Sequence, residues 1–334
     1  MVALRHDLDV CIAGVEEGAP IVVGCSGGPD SLALVAVAVW VGAHQGRRVI
    51  SATIDHQLQE GSAGIATSAR EAARALGAEA VVIAVDVDLA AGLEAGARAA
   101  RLSSLAALAA DRGAPAVLLG HSRDDQAETV LLRLSRGAGA RSLGAMRTCS
   151  GLWHRPFLAQ SRQVVHDVAS EALGPLGITP WRDPHNDSTD FARVRIRTLL
   201  AEITTELGPG VSMGLVRSAE LLRDDDDVLS SWSSAEVGAQ VIADEAGVRI
   251  DIAHISELPR AIRSRIIRSM FERAAGVERS ASGLTFDHVR TVDALIVDWH
   301  GQGLVDLPGG VRAVRDYDRL LLLRGTLHHQ PREL

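Results

Sequence analysis

The sequence predicts an α/β fold, a parallel sheet with helices on both faces, followed by a smaller, mostly helical domain carrying a β hairpin near its end. Three observations carry that prediction. Short Val- and Ile-rich runs alternate with longer helical patterns through the first half, as parallel strands joined by crossover helices require. The first such run breaks into Ser26-Gly27-Gly28-Pro29-Asp30-Ser31 and resumes as an apolar helix, a strand–turn–helix with paired glycines. The alternation then stops after Leu207, where Gly208-Pro209-Gly210 interrupts the chain.

Taken in order, strands are predicted at Ile21–Cys25, Val49–Ile54, Ala80–Val85 and Ala116–Gly120, and helices at Ser31–Ala43, Ser62–Leu76, Leu93–Arg112 and Asp124–Leu134. The 334 residues suffice for two domains, placed at 1–207 and 208–330, the second opening with a linker helix. Asp224 to Asp227 read as a solvated helix face. Arg260, Arg263, Arg265 and Arg268 recur beside Ile262, Ile266, Ile267 and Met270, which predicts a basic outer face over an apolar inner one; a soluble surface helix and an RNA-contacting helix fit that pattern equally. Leu307-Pro308-Gly309-Gly310 opens an alternating run, Val311 to Leu323, that predicts the hairpin.

The 34 basic residues are all Arg and face 42 acidic ones, and the net charge of −8 argues against a general nucleic-acid sponge while leaving room for local basic patches. Cys11, Cys25 and Cys149 stand far apart without a C-x-x-C, which speaks against a zinc ribbon, an Fe–S cluster or a disulfide framework. The first residues lack a signal-peptide layout and no apolar run approaches a membrane span, so a reducing cytoplasm is the expected compartment and no membrane partner is expected.

A glycine-rich turn opening a helix after a strand aims backbone N–H groups at an anion, favoured there by the helix dipole. Ser26, Gly27, Gly28, Pro29, Asp30 and Ser31 are therefore the candidate phosphate cradle. It is not a Walker A loop, which needs a Lys where this chain has Asp30, nor does it fit G-x-G-x-x-G. A carboxylate beside phosphates repels them unless a cation lies between, which makes Asp30 a candidate Mg²⁺ ligand. In a parallel sheet, ligands sit beyond the carboxyl ends of the strands. Asp55 and His56 follow the second predicted strand, and Gly120-His121-Ser122-Arg123-Asp124-Asp125-Gln126-Ala127-Glu128-Thr129 follows the fourth. Asp124, Asp125 and Glu128 gather on one side of a helical first turn, where acids also serve simply as dipole partners.

The ordered series of Ser26 to Ser31, Asp55-His56, Leu93-Glu94 through Arg98 and Arg101, the block from Gly120 to Thr129 and Leu131-Leu132-Arg133-Leu134-Ser135-Arg136-Gly137-Ala138-Gly139 resembles the tRNA(Ile)-lysidine synthetase family of PP-loop ATP pyrophosphatases. Arg155-Pro156-Phe157-Leu158, Asp183-Pro184-His185-Asn186 and Arg193-Val194-Arg195-Ile196-Arg197 continue it over about the first 200 residues. The resemblance implies an adenine nucleotide alpha-hydrolase-like sheet and a C-terminal tRNA-binding domain. It also implies an ATP-dependent ligase that adenylates the wobble cytidine of a CAU-anticodon tRNA(Ile) at its carbon-2 oxygen, after which L-lysine displaces AMP.

Within that reading Asp30, Arg98, Arg101, His121, Asp124, Asp125 and Glu128 are the catalytic candidates. Arg98 and Arg101 share a helix face and suit phosphate oxygens, the competing reading being a surface pair with Glu94. The acid cluster suits a cationic amino acid, and His121 or one of the acids suits the general base. Arg133, Arg136, Arg193, Arg195 and Arg197, with Arg141 and Arg147 nearby, are the RNA-phosphate candidates. Departures from the family pattern are Ser122 for a second His, Gln57-Leu58-Gln59 for Gly-Leu-Arg, and Val194 for Asn. The alternatives are a PP-loop enzyme that thiolates a tRNA base, which paired cysteines or a cluster would favour, and a non-catalytic RNA-binding protein on the same fold.

Overall fold

The computed structural model describes every residue except 89, 91, 183–191, 246, 277–282 and 325–334, so the expected Asp183-Pro184-His185-Asn186 motif lies outside the described residues. The chain forms two compact units, Met1–Leu222 and Arg223–Leu334.

The first unit contains α1 (Val2–Cys11), β1 (Ile21–Gly24), α2 (Pro29–Gln45), β2 (Val49–Asp55), α3 (Ser62–Ala75), β3 (Glu79–Ala84), α4 (Leu93–Arg112), β4 (Ala116–Leu118), α5 (Arg123–Leu134), α6 (Ala140–Leu143), β5 (Cys149–Ser150), β6 (Trp153–His154), α7 (Arg162–Leu173), α8 (Ala192–Leu207) and the start of α9 (Val211–Gln240). Its sheet has the order β3-β2-β1-β4-β6-β5, parallel throughout except for the β5–β6 pair. The order reverses between β1 and β4, the kind of switch point beyond whose carboxyl strand ends ligands bind in such sheets. The β1–α2 turn and the β4–α5 turn flank it.

Both sheet faces are covered, which is why the central strands are apolar along their length rather than alternating. Leu4 and Leu8 of α1, Leu32 and Val35 of α2, and Val165 and Val168 of α7 close over Ile21, Val23 and Leu118 on one face. Leu105 and Ala109 of α4 cover Val22, Ile50 and Val117 on the other. Each such side chain, fully buried, contributes about 1.5–3 kcal/mol. A separate small cluster, Ala127, Leu200 and Val216, joins α5, α8 and the start of α9.

The expected boundary at 207/208 falls between α8 and α9, whereas the compact units divide at Leu222/Arg223, within α9. In the second unit the expected hairpin, β10 (Val311–Asp316) with β11 (Arg319–Arg324), is the centre of a five-stranded antiparallel sheet that also includes β7 (Ile242–Asp244), β8 (Gly247–Asp251) and β9 (Val305–Leu307). The helices α10 (Ile252–Ser256), α11 (Arg260–Ala275) and α12 (Phe286–Val297) accompany it. Ile262, Ile266, Ile267 and Met270 are fully buried in its core. The polar face of α11 is largely spent inside the unit: Arg263 holds Asp293 at 2.7 and 3.0 Å, and Arg265 holds Asp226. Asp226 is consequently buried, which corrects the uniform solvated face expected for Asp224 to Asp227. No helix among the described residues is long and apolar enough to cross a membrane.

Candidate active site

The β1–α2 turn is tied by its last hydroxyl. Ser31 Oγ donates to the Gly28 carbonyl at 2.9 Å, accepts the Ser26 N–H at 3.1 Å, and lies 3.3 Å from Ser26 Oγ. Gly27 holds φ +81°, and a Cβ there would meet Ala69 Cβ of α3 at 2.9 Å, so both backbone angle and space require glycine. Gly28 caps α2 and Pro29 begins it, leaving the first-turn N–H groups for a ligand. Gly120 lets the two motifs touch: a Cβ at that position would lie 3.0 Å from the Asp30 carbonyl.

Asp30 is partly buried, and its Oδ1 has no hydrogen-bond donor. His166 of α7 brings Nε2 to 3.3 Å from that oxygen, out of hydrogen-bond alignment. Burial pushes the Asp30 carboxyl up, against the pull of His166 and with the help of Asp125. On the neighbouring strand Asp55 accepts the Gln57 N–H at 3.0 Å. Gln57 sits at φ +55°, so the position where the family has Gly does adopt the conformation that glycine accepts most easily.

In the β4–α5 turn, Ser122 is the N-cap of α5, and its N–H and Oγ both donate to Asp125 Oδ2, at 2.8 and 2.9 Å. The departure to Ser122 therefore builds a capping box. Arg162, the first residue of α7, completes the arrangement: its backbone N–H donates to Asp124 at 2.7 Å, and its Nη2 reaches Asp125 Oδ1 at 3.1 Å and Glu128 Oε1 at 2.9 Å. Arg197 Nε also donates to Glu128 Oε1 at 2.9 Å. Despite its burial, the Asp125 carboxyl is held below the usual carboxylate range by Arg162 and the Ser122 N–H. Burial opposes the charge on Arg162, but Asp125 and Glu128 outweigh it and hold that guanidinium above its ordinary range. The three acids are thus a paired, structurally committed cluster. One oxygen stands apart: Glu128 Oε2 is buried with no partner.

A second, cationic group gathers on α4 and α8. Burial, then Arg98 and Arg193, push the Arg101 guanidinium down to about 10, still charged at neutral pH. Burial and Arg193 likewise lower Arg98, which Glu94 only partly offsets, and no ion pair joins those two residues. Burial followed by Arg98 lowers Arg133 and Arg155 as well. Like charges brought together and partly desolvated, with Glu94 the one carboxylate among the described residues that offsets Arg98, suit a polyanion. Both groups act on His121. Burial, opposed by Asp125 and reinforced by Arg101, Arg155 and Arg193, pushes its imidazole down to about 3, so it is neutral at physiological pH. Buried polar atoms without partners collect here: Asp30 Oδ1, His56 Nδ1, Arg101 Nε, His121 Nδ1, Glu128 Oε2 and Arg155 Nε. Such atoms cost stability unless a ligand meets them.

The PP-loop domain family matches residues 6–203, and the TilS substrate binding domain matches residues 250–321. Curated proteins named tRNA(Ile)-lysidine synthase match nearly end to end. The protein from Thermobifida fusca (strain YX) is 45% identical over 307 residues, covering 91% of this chain and 92% of its own. This chain belongs to the tRNA(Ile)-lysidine synthase family. The family member from Leifsonia xyli subsp. xyli (strain CTCB07) is 44% identical over 89% of this chain and 88% of its own, and the one from Mycobacterium tuberculosis (strain CDC 1551 / Oshkosh) 42% over 88% and 86%. A solved U34-tRNA thiolase, NcsA from Methanococcus maripaludis with its [4Fe-4S] cluster, shares the fold at a TM-score of 0.54 and 15% identity, covering 66% of this chain and 78% of its own.

Arg162 and His166 of α7, together with Arg155 ahead of it, belong to the site but were not read as functional from sequence. Arg162 and His166 carry no local signature, since Arg162 meets its acids across 34 residues or more, whereas Arg155 stands in the Arg155-Pro156-Phe157-Leu158 block of the family series. The five RNA candidates are divided by the structure. Arg193 adjoins Arg98 and Arg101, Arg133 is tied to the Ser142 carbonyl, Arg197 is engaged by Glu128, and Arg136 and Arg195 are exposed. Cys11 and Cys149, far apart in sequence, lie with their sulfurs 3.4 Å apart, both as free thiols.

Proposed function

We propose that this member of the tRNA(Ile)-lysidine synthase family joins L-lysine to carbon 2 of the wobble cytidine of a CAU-anticodon tRNA(Ile), in two steps at the β1/β4 crevice. The observation that carries the reading is the pairing of a glycine-rich turn at a helix N-terminus with a desolvated arginine group and a set of buried polar atoms without hydrogen-bond partners.

In the first step the cytidine carbon-2 oxygen attacks the α-phosphorus of ATP and pyrophosphate departs. The N–H groups of Gly27, Gly28 and the first turn of α2, with the Ser26 and Ser31 hydroxyls, stabilise the charge that gathers on the leaving oxygens. Arg98, Arg101 and Arg193 hold the phosphate chain, their mutual repulsion relieved when it binds. The unpartnered Asp30 Oδ1 fits a divalent cation, and Mg²⁺ bound there would screen the carboxylate from the pyrophosphate.

In the second step the lysine amine attacks carbon 2 and AMP leaves. The ammonium is received at Glu128 Oε2, the buried oxygen of the acid cluster that lacks a donor. Neutral His121, whose Nδ1 is unpaired, accepts a hydrogen bond from the amine and orients it; with its ring held down to about 3 it is too weak a base to keep the proton, which passes to the Glu128 carboxylate that received the ammonium. The exposed arginines meet RNA phosphates, and the target base leaves its stack to reach the α-phosphate. The second unit recognises the tRNA, and the enzyme works in the cytoplasm, where its RNA substrate lies.

Asp30→Ala tests the first step. Pyrophosphate release is expected to fall by at least a hundredfold while tRNA binding changes less than threefold. Near-normal pyrophosphate release by the variant would remove Asp30 from the mechanism.

A further inference from the structure

The hairpin that precedes Arg155 contributes nothing to the chemistry described above, yet it presents a set of donors. Cys149 and His154 are cross-strand partners in the antiparallel β5–β6 pair, so their side chains leave the same face of the hairpin. The C-terminal residue of α1, Cys11, projects onto that face. Its Sγ lies 3.4 Å from Cys149 Sγ and 3.7 Å from His154 Nδ1, and the three donor atoms all fall within 4.8 Å of one another. Cys11 and His154 are buried, whereas Cys149 is exposed and gives solvent a way in.

We infer that Cys11, Cys149 and His154 form a binding site for a thiophilic divalent cation of the zinc class, with water as the fourth ligand. Zinc–sulfur and zinc–nitrogen bonds of about 2.3 and 2.0–2.1 Å at tetrahedral angles separate two sulfurs by about 3.8 Å and a sulfur from a nitrogen by about 3.5 Å. The observed 3.4 and 3.7 Å lie within a few tenths of an ångström of those values. The proton balance is defined. Nδ1 now faces the Cys11 carbonyl at 3.0 Å and carries the ring proton. Ligation through Nδ1 moves that proton to Nε2, and each ligating thiol gives its proton to solvent. Because both thiols must release protons to ligate, the affinity for the cation rises with pH.

A cation held there would fasten the end of α1 to the hairpin whose next residue is Arg155, itself anchored by its N–H to the Thr148 carbonyl at 2.7 Å. The role is structural. It calls for no C-x-x-C spacing, because the fold rather than the sequence brings the donors together.

Co²⁺ added to the reduced full chain under anaerobic conditions tests the site. One equivalent is expected to produce a sulfur-to-cobalt charge-transfer band in the near ultraviolet, with visible bands of four-coordinate strength, and Zn²⁺ is expected to bleach both. Cys149→Ser, a change at an exposed position, should abolish the charge-transfer signal of the pair and weaken Zn²⁺ binding at least tenfold in competition with a chelating dye. His154→Gln should leave sulfur-to-cobalt absorption but lower the visible intensity. No charge-transfer band in the wild type, or an undiminished one in Cys149→Ser, overturns the proposal. So does a chain that takes up no metal while dilute hydrogen peroxide converts Cys11 and Cys149 to a disulfide.

Discussion

Glu128 illustrates how one side chain serves two ends. Its Oε1 joins Arg162 and Arg197, fixing α5 against α7 and α8, while Oε2 remains buried and unpaired. Glu128→Gln keeps the shape and removes the charge. Losing a charge-assisted contact to the lysine ammonium costs about 1.5–3 kcal/mol, a rise of roughly 10- to 100-fold in the lysine Michaelis constant. Adenylated tRNA should still accumulate, and parallel urea titrations will separate this effect from loss of the two arginine contacts. Loss of adenylation with normal lysine dependence would assign Glu128 to the first step instead. Arg101 makes the opposite case. Its guanidinium is desolvated beside Arg98 and Arg193, so in the free protein it costs stability for the sake of a later ligand. Arg101→Met is therefore expected to raise the melting temperature of the free protein while weakening ATP binding tenfold or more. A variant that melts lower and binds ATP normally would make Arg101 a structural residue.

Among the elements, α8 shows most clearly what a sequence pattern conceals. Arg193, Arg195 and Arg197 read as one basic group, yet a helix turns residues two apart to different sides. Arg193 and Arg197, four apart, share one face, where Arg193 joins the arginines of α4 and Arg197 reaches Glu128, while Arg195 between them is exposed. Arg195→Ala and Arg136→Ala are each expected to shrink the log–log salt slope of tRNA binding by about one, whereas Arg197→Ala should leave the slope unchanged and lower stability. A salt slope that responds to Arg197 and ignores Arg195 would reverse that assignment. The predicted strands and helices of the first 134 residues agree with those observed to within two residues at nearly every end, because apolar runs and glycine or serine stops mark them locally. Among the elements not predicted, α1, α7 and the β5–β6 pair have two-residue strands or depend on packing, as when Leu4 and Val165 settle on the sheet. For the same reason the phosphate turn and the acid block could be read directly, but their partners Arg162, His166 and Arg155 could not.

At the scale of the molecule, every residue of the proposed reacting site lies in the first unit, and the second has its own core built on an antiparallel sheet. The net charge of −8 is no obstacle to an RNA substrate, since arginines are gathered at the β1/β4 crevice while other acids and arginines, such as Asp226 with Arg265 and Asp293 with Arg263, cancel within the second unit. The sequence order of the motifs pointed to the chemistry; the sheet order explains it, because β1 and β4 are neighbours and their following turns face one crevice. The juxtaposed Cys11 and Cys149 do not restore the thiolation alternative, since the relatives that match the chain nearly end to end are lysidine synthases. The most direct measurement is mass analysis of nucleosides from a CAU-anticodon tRNA(Ile) transcript incubated with the protein, ATP, Mg²⁺ and L-lysine. The account predicts that one cytidine per tRNA becomes a nucleoside heavier by a lysyl residue, only when ATP and lysine are both present. Cytidine left intact under those conditions, or exchanged for a sulfur-containing base when a sulfur donor is supplied, would contradict it.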